Sequence, residues 1–296
     1  MYQGSCLCGR VSYEFDGPIS LMMNCHCSMC RKHHGSAYAT FLAAPISGFR
    51  WLTGQENVRE FASSEHGKRF FCATCGSVAP TLAEPMKLAL VPAGNVRGDL
   101  EARPQFHVFV ASKAPWYTIT DQLPQHAEKP PEWGDGSVAR PRVAPKPDLT
   151  QGSCLCGEVA FEIEGAPLRM ANCYCSRCRR ARSAAHATNL FYPLSAVRYV
   201  RGEELVVDFQ FPEAKYFGVA FCERCGGKVA RKSIARGAAV VPGGSLDTDP
   251  GVRASMHICV ASKANWVQIN DSVQQFAETP PPAAVGAPPQ PTPQPH

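Results

Sequence analysis

Cys25-His26-Cys27-Ser28-Met29-Cys30-Arg31-Lys32 and Cys173-Tyr174-Cys175-Ser176-Arg177-Cys178-Arg179-Arg180 are two versions of one stretch, and the rest of the chain is read outward from them. Each places three thiols within six residues and follows them with two cations. That spacing is too tight for a disulfide framework, and the neighbours are too polar for a core. Each stretch therefore reads as a thiolate claw for a soft metal, zinc by preference.

The claws stand 148 residues apart, Cys25 to Cys173. Gly4-Ser5-Cys6-Leu7-Cys8-Gly9 and Gly152-Ser153-Cys154-Leu155-Cys156-Gly157 keep the same separation. Cys72-Ala73-Thr74-Cys75-Gly76 recurs 150 residues later as Cys222-Glu223-Arg224-Cys225-Gly226, so the second copy carries a two-residue insertion. The longer separation then holds through Val110-Ala111-Ser112-Lys113-Ala114-Pro115-Trp116 and Val260-Ala261-Ser262-Lys263-Ala264-Asn265-Trp266. Two tandem copies of one domain follow. The repeat is too long for a solenoid unit, so each copy is expected to be a globular domain. The first domain is placed at 1–130 and the second at 151–280. Between them, 131–150 is a linker, because prolines such as Pro131, Pro141, Pro145 and Pro147 cannot donate to a ladder. The last segment, 281–296, is expected to be disordered; the stretch from Thr279 to His296 holds eight prolines and little apolar bulk.

The chain has 296 residues, enough for two cores, with 45% hydrophobic and 19% charged residues. No apolar run approaches the roughly 18 residues of a membrane span. The N-terminal stretch lacks the basic and apolar regions of a secretory leader, which makes the cytoplasm the expected location. A net charge of +5 favours small anions slightly and falls short of a nucleic-acid-binding signature. In a reducing compartment, fifteen cysteines at these spacings point to metal or redox chemistry. The count is odd, so at least one thiol stands outside any paired scheme.

Within a copy the pattern is mainly strand. Val11, Tyr13 and Phe15, and then Val159, Phe161 and Ile163, alternate with polar residues as half-buried strands do. Lys68–Phe71, Tyr216–Phe221, His107–Val110 and His257–Val260 read as further strands. Frequent glycine and proline argue against long helices, leaving a short one over Arg31–Ser36.

Four thiols from the C-x-C-G and C-x-x-C-G motifs form one set in each copy: Cys6, Cys8, Cys72 and Cys75, and Cys154, Cys156, Cys222 and Cys225. Glycine after the last thiol permits a turn whose N–H groups face the sulfurs. Four thiolates close a tetrahedral shell, so these sites are expected to hold the fold and do no chemistry; the alternative is two disulfides or free thiols. Cys25, Cys27 and Cys30, like Cys173, Cys175 and Cys178, supply three ligands and leave a fourth position open, the mark of a working ion. A distant fourth ligand would instead close the shell, and His107 and His257 are candidates for it. His26, His33 and His34 are less credible, since the second copy has Tyr174, Ala181 and Arg182 there. Arg31-Lys32 and Arg179-Arg180 could offset the cluster's charge or hold a substrate carboxylate, or form a solvated face. Trp116 and Trp266, with Lys113, Lys263, Asp121 and Asp271, line a cleft or anchor the core, the core being the simpler reading. Cys259 replaces Phe109 and reads as a small core residue, not a ligand.

The ordered set Gly-Ser-Cys-x-Cys-Gly-x-Val, Cys-x-Cys-Ser-x-Cys-Arg, Phe-Cys-x-x-Cys-Gly and Ser-Lys-Ala-x-Trp resembles the family of glutathione-dependent formaldehyde-activating enzymes and centromere protein V. The resemblance covers about 3–130 and 151–280. It implies two tandem zinc-binding, Mss4-like β domains with two zinc ions each, four per chain. One ion of each domain would be structural, on the four-thiol set. The other would be catalytic, on Cys25, Cys27 and Cys30 in the first domain and on Cys173, Cys175 and Cys178 in the second. The implied activity is a carbon–sulfur lyase reaction that condenses glutathione with formaldehyde to S-(hydroxymethyl)glutathione. A rival function is a non-catalytic, zinc-stabilised module that docks a partner. The first copy keeps the family-like Arg31-Lys32-His33-His34-Gly35-Ser36. The second, Arg179-Arg180-Ala181-Arg182-Ser183-Ala184, lacks the glycine that would let backbone approach a ligand, so the first copy is expected to carry the chemistry.

Overall fold

The computed structural model describes residues 1–64, 67–130, 144–281 and 290–291. The first copy runs β1 (Tyr2–Ser5), β2 (Ser12–Phe15), β3 (Leu21–Cys25), α1 (Ser28–His34), β4 (Ala39–Pro45), β5 (Phe49–Thr53), β6 (Val58–Ala62), β7 (Lys68–Cys72), β8 (Thr81–Ala83), β9 (Leu88–Pro92) and β10 (Phe106–Val108). The second runs β11 (Leu149–Ser153), β12 (Ala160–Glu164), β13 (Arg169–Cys173), α2 (Ser176–Arg182), β14 (Ala187–Pro193), β15 (Val197–Arg201), β16 (Val206–Gln210), β17 (Gly218–Cys222), β18 (Lys228–Val229), β19 (Arg231–Ser233), β20 (Ala238–Pro242), β21 (Val252–Arg253), β22 (Met256–Ile258) and β23 (Gln274–Gln275). The chain is thus mainly β with two short α-helices. Helix α1 begins three residues earlier than the sequence suggests, because Cys27 serves as its N-cap, its sulfur accepting from the Cys30 N–H as that of Cys175 accepts from the Cys178 N–H at the start of α2.

In each copy a three-stranded sheet (β1-β2-β5, then β11-β12-β15) adjoins a larger one. The larger sheets have the orders β10-β3-β4-β9-β8 and β19-β20-β14-β13-β22-β23. Pairing is antiparallel except where β10 returns beside β3, β22 beside β13, and β23 beside β22. The expected alternation along β2 and β12 is only half right. Tyr13, Phe15, Phe161 and Ile163 are buried, but so are Glu14 and Glu162, which lie under Arg50 and under Lys146 with Arg198. Most of the proposed linker, 131–143, and of the tail lies outside the described residues. Within the tail, Gln290–Pro291 pairs with β21.

The two copies share their cores. One apolar cluster joins Met29, Ala37, Val108 and Trp116 of the first copy to Leu155, Phe161, Tyr192 and Val241 of the second. Another joins Tyr13, Phe15, Leu42 and Leu100 to Tyr174, Trp266 and Val267. The contacts are reciprocal, as in a two-fold interface. Gly76 lies against Phe221 and Gly226 against Phe71, while the Phe71 and Phe221 rings meet edge to face 6.3 Å apart. Helix α1 rests on the turn Gly243–Ser245, and α2 on the equivalent turn Ala93–Asn95. Each tryptophan is therefore a core anchor, as expected, but one that reaches into the opposite copy.

Two lysines buried at this interface are paired across it. Lys32, 7% exposed, forms an ion pair with Asp247 at 2.6 Å and donates to the Ser153 carbonyl and hydroxyl. Lys228, fully buried, donates to the carbonyls of His33, Gly76 and Gly226. The second cation of the first claw thus belongs to the interface and not to a substrate. Gly35 has a similar role. Its Cα faces the Lys228 side chain at a distance that leaves no room for a Cβ, so the glycine lets the other copy approach.

His34 donates through Nδ1 to the Arg182 and Ser183 carbonyls at 2.9 and 3.0 Å, and His186 is buried beside Tyr38 and Tyr174. Burial pushes both imidazoles down to about 3, so the fold holds them neutral. Their stabilising contribution is complete above the unfolded-state value near 6.5 and is lost as pH falls toward 3. The expected loss is on the order of 3 kcal/mol each by pH 4. Denaturation at pH 7, 5.5 and 4 checks this. The variant His34→Gln/His186→Gln should flatten the acid limb, leaving the thiolates' share.

Candidate metal centres

Two kinds of thiol cluster emerge, one of each kind per copy. In the four-thiol clusters the C-x-C turn after β1 or β11 meets the C-x-x-C turn after β7 or β17. Gly76 and Gly226 (φ 70 and 67) make the left-handed bend that closes the latter. Cys6 and Cys8 sulfurs lie 3.4 Å apart and Cys8 and Cys72 3.8 Å; the second copy gives 3.4 Å for Cys154–Cys156 and 3.9 Å for Cys156–Cys222. A disulfide requires about 2 Å, and all these cysteines are free. A tetrahedral ion with metal–sulfur bonds of about 2.3 Å sets sulfurs about 3.8 Å apart, so the donor sets fit one. Donors also converge on the sulfurs: Val11 N–H on Cys6, Asn57 Nδ2 on Cys72, Val159 N–H on Cys154, and the Cys156 and Gly227 N–H groups on Cys225.

The three-thiol clusters form where β3 runs into α1 and β13 into α2. Cys25, Cys27 and Cys30 are each 5% exposed, and their sulfurs lie within 4.8 Å of one another, as do those of Cys173, Cys175 and Cys178. Hydrogen bonds from Cys25 and Cys30 hold the Cys27 thiol well below its usual range, and the bond to Cys27 pushes Cys25 well above. In the second trio, bonds from Cys173 and Cys178 lower Cys175. Arg69 of β7 donates to Cys30 at 3.6 Å; burial works against its charge, but the nearby thiolates hold the guanidinium above its usual value. The clusters alternate across the interface. The first trio packs in one apolar cluster with Cys154, Cys222 and Cys225, and the first quartet packs with Ala181 of α2.

His107 and His257 do not complete the trios. His107 Nε2 meets Asp121 at 3.0 and 3.1 Å, and its Nδ1 meets His26 Nε2 at 2.8 Å. In the second copy His257 bridges Asp271 at 2.8 Å and the Tyr174 hydroxyl at 3.0 Å. This resolves the tautomers. The Asp121 carboxylate accepts from His107 Nε2–H, so His107 Nδ1 accepts from His26 Nε2–H. Burial, with His107 next, pushes His26 down to about 3, so it is neutral, and its buried Nδ1 lone pair has no partner among the described residues. Sequence reasoning passed over His26 because Tyr174 replaces it. The available signal was its position between two claw thiols.

At the other end of this chain, Asp121 lines a cavity of about 470 Å³ between the copies. Asn24, Tyr38 and Arg103 form its wall on one side and Trp266, Gln268 and Asn270 on the other. Among the described residues, no helix is long and apolar enough to cross a membrane.

A model of the family described as glutathione-dependent formaldehyde-activating enzyme matches residues 1–112 and 149–262. An uncharacterized lyase of Schizosaccharomyces pombe is 30% identical over 76 residues, 26% of this chain. The match spans about half of that protein, 53% of its length. A crystal structure of a Rhodobacter sphaeroides protein aligns at 25% identity over 33% of this chain and 91% of its own, with a TM-score of 0.28. The family model takes in well over half of the sequence and matches each copy from its first cysteines to the serine of Ser-Lys-Ala, so the chain belongs to the glutathione-dependent formaldehyde-activating enzyme family.

Proposed function

We propose that the chain is a carbon–sulfur lyase that joins a thiol to an aldehyde, glutathione to formaldehyde in the family's reaction. In this reading four zinc ions are bound per chain, in two Mss4-like domains at 1–130 and 151–280, and Cys25, Cys27 and Cys30 carry the chemistry. The observation behind it is the division of sulfurs in the first copy: four converge as a set that would close a tetrahedral shell, while three converge and would leave one ligand position open. A cytoplasmic location suits so many reduced thiols.

Zinc, when bound, lowers the pKa of a thiol that enters the vacant corner. The remaining work falls to the chain's own residues. Cys25, Cys27 and Cys30 are fixed by a strand end and a helix cap, which sets the direction from which the thiol enters. Arg69 offsets the thiolates' charge. His26 Nδ1, the unpartnered lone pair, accepts a hydrogen bond from the thiol and relays its proton without holding it as a charge that burial disfavours: the sulfur forms its bond to the carbonyl carbon, the π pair moves to oxygen, and that oxygen takes the proton. Asp121 and His107 hold the tautomer this requires. Thiol plus aldehyde gives the hydroxymethyl thioether and nothing leaves.

The test is the exchange rate between glutathione with formaldehyde and their adduct at equilibrium, measured by NMR. The protein should accelerate it, and His26→Gln should lower the acceleration by about a hundredfold or more with zinc content unchanged. No acceleration by the unaltered protein would remove the enzyme and leave a zinc-held docking module.

A further inference from the structure

The residue that follows β10 and β22 differs between the copies in a way that bears directly on the trios. Phe109 and Cys259 occupy equivalent positions, both in the left-handed conformation (φ 58 and 56). The backbone thereby delivers this side chain onto the cluster in both copies. The Phe109 ring packs in the apolar group that contains Cys25, Cys27 and Cys30. Cys259, half-buried, packs in the group that contains Cys173 and Cys178. The position equivalent to Cys259 in the first copy therefore holds a side chain with no donor atom, while in the second copy it brings a fourth thiol to the trio's own small cluster.

That thiol is already close at hand: it packs with Cys175 against the small buried group of Cys173, Cys178 and Ala187. Its sulfur stands outside the mutual 4.8 Å group of Cys173, Cys175 and Cys178, so it has to close in when an ion is held. The surroundings favour added negative charge. Arg182 of α2, where the first copy has neutral His34, is 5% exposed and feels the charge of Cys178. Its Nε and Nη1, like Nε of Arg179, have no partner among the described residues.

We propose that Cys259 is the fourth ligand of the second trio, closing a shell of four thiolates on zinc with Cys173, Cys175 and Cys178. This rests on the zinc reading above and adds to it. The second domain then holds its second ion without a vacant corner, substrate has access to metal only in the first domain, and all fifteen cysteines are ligands.

Alkylation of the zinc-loaded full chain with N-ethylmaleimide, mapped by mass spectrometry, tests this without any variant. Cys259 should be protected as fully as Cys175 and become reactive when a chelator removes zinc. Labelling of Cys259 while Cys173, Cys175 and Cys178 stay protected would overturn the proposal. In chelator competition, Cys259→Ser should release one of the four ions more readily, on the order of a hundredfold, and leave glutathione–formaldehyde exchange unchanged. Release identical to the parent would also overturn it. The converse variant, Phe109→Cys, should tighten zinc at the first trio and suppress exchange. If Cys259 is labelled but the parent accelerates exchange, only this inference fails; if Cys259 is protected and nothing is accelerated, only the lyase reading fails.

Discussion

Cys75→Ser is expected to abolish cooperative folding, whereas Cys27→Ser keeps the fold and loses the chemistry. Cys75 is fully buried in a four-thiol cluster. An ion so held contributes about 10 kcal/mol or more to folding, as much as the roughly 5–15 kcal/mol that a whole domain has to spare. Because the copies share their apolar clusters, the loss should spread to both. Cys27 is placed differently. It caps α1 by accepting from the Cys30 N–H, and serine is a favoured residue for that position. Thermal denaturation followed by circular dichroism, with zinc counted in parallel, separates the two. Cys75→Ser should show no sharp transition. Cys27→Ser should melt within a few degrees of the parent, carry one zinc fewer and give no acceleration of exchange. A Cys27→Ser protein that unfolds like Cys75→Ser would make the trio a structural site.

Gly94→Ala and Gly244→Ala should each destabilise the chain by about 3 kcal/mol or more, although neither glycine is near a thiol in sequence. They are equivalent residues in the turns on which the opposite helix rests. A Cβ on Gly94 would meet the Ala184 backbone at 2.2 and 2.4 Å, and one on Gly244 would meet the Arg31 and Ser36 backbone at 2.3 and 2.4 Å. Those obstacles are main-chain atoms of a helix end, so no rotamer change relieves them and the interface itself must open. Urea denaturation reads the loss. A change below about 1 kcal/mol in both variants would mean that the copies do not depend on this packing.

The cysteine sets were legible because ligand spacing is a local property. Cys25, Cys27 and Cys30 lie within one strand end and one helical turn, and the C-x-C and C-x-x-C pairs each sit on a single bend. The strands were legible from apolar spacing, with their limits moved by a residue or two. Roles that depend on the other copy were not legible. Lys32 read as a charge offset, a substrate contact or a solvated face, and Gly35 as a place where backbone approaches a ligand; they turned out to meet Asp247, Ser153 and Lys228. Trp116 read as a core anchor without any sign that its core lies mostly in the second copy. His26 was set aside for lack of an equivalent, yet the Asp121–His107–His26 chain fixes its ring between two claw thiols with Nδ1 unpartnered among the described residues.

From sequence alone came the tandem repeat, the mainly β character, the family and the division of each copy's sulfurs into four and three. All of these depend on residue type and on distances along the chain of a few positions or one fixed repeat. The tertiary structure alone decided that the copies embrace, that the first trio packs with the second quartet and the first quartet with helix α2, and that a second-copy thiol, Cys259, packs beside the second trio. Those outcomes are set by backbone carbonyls, by glycine surfaces and by contacts between residues some 150 positions apart, which no local pattern of side chains encodes.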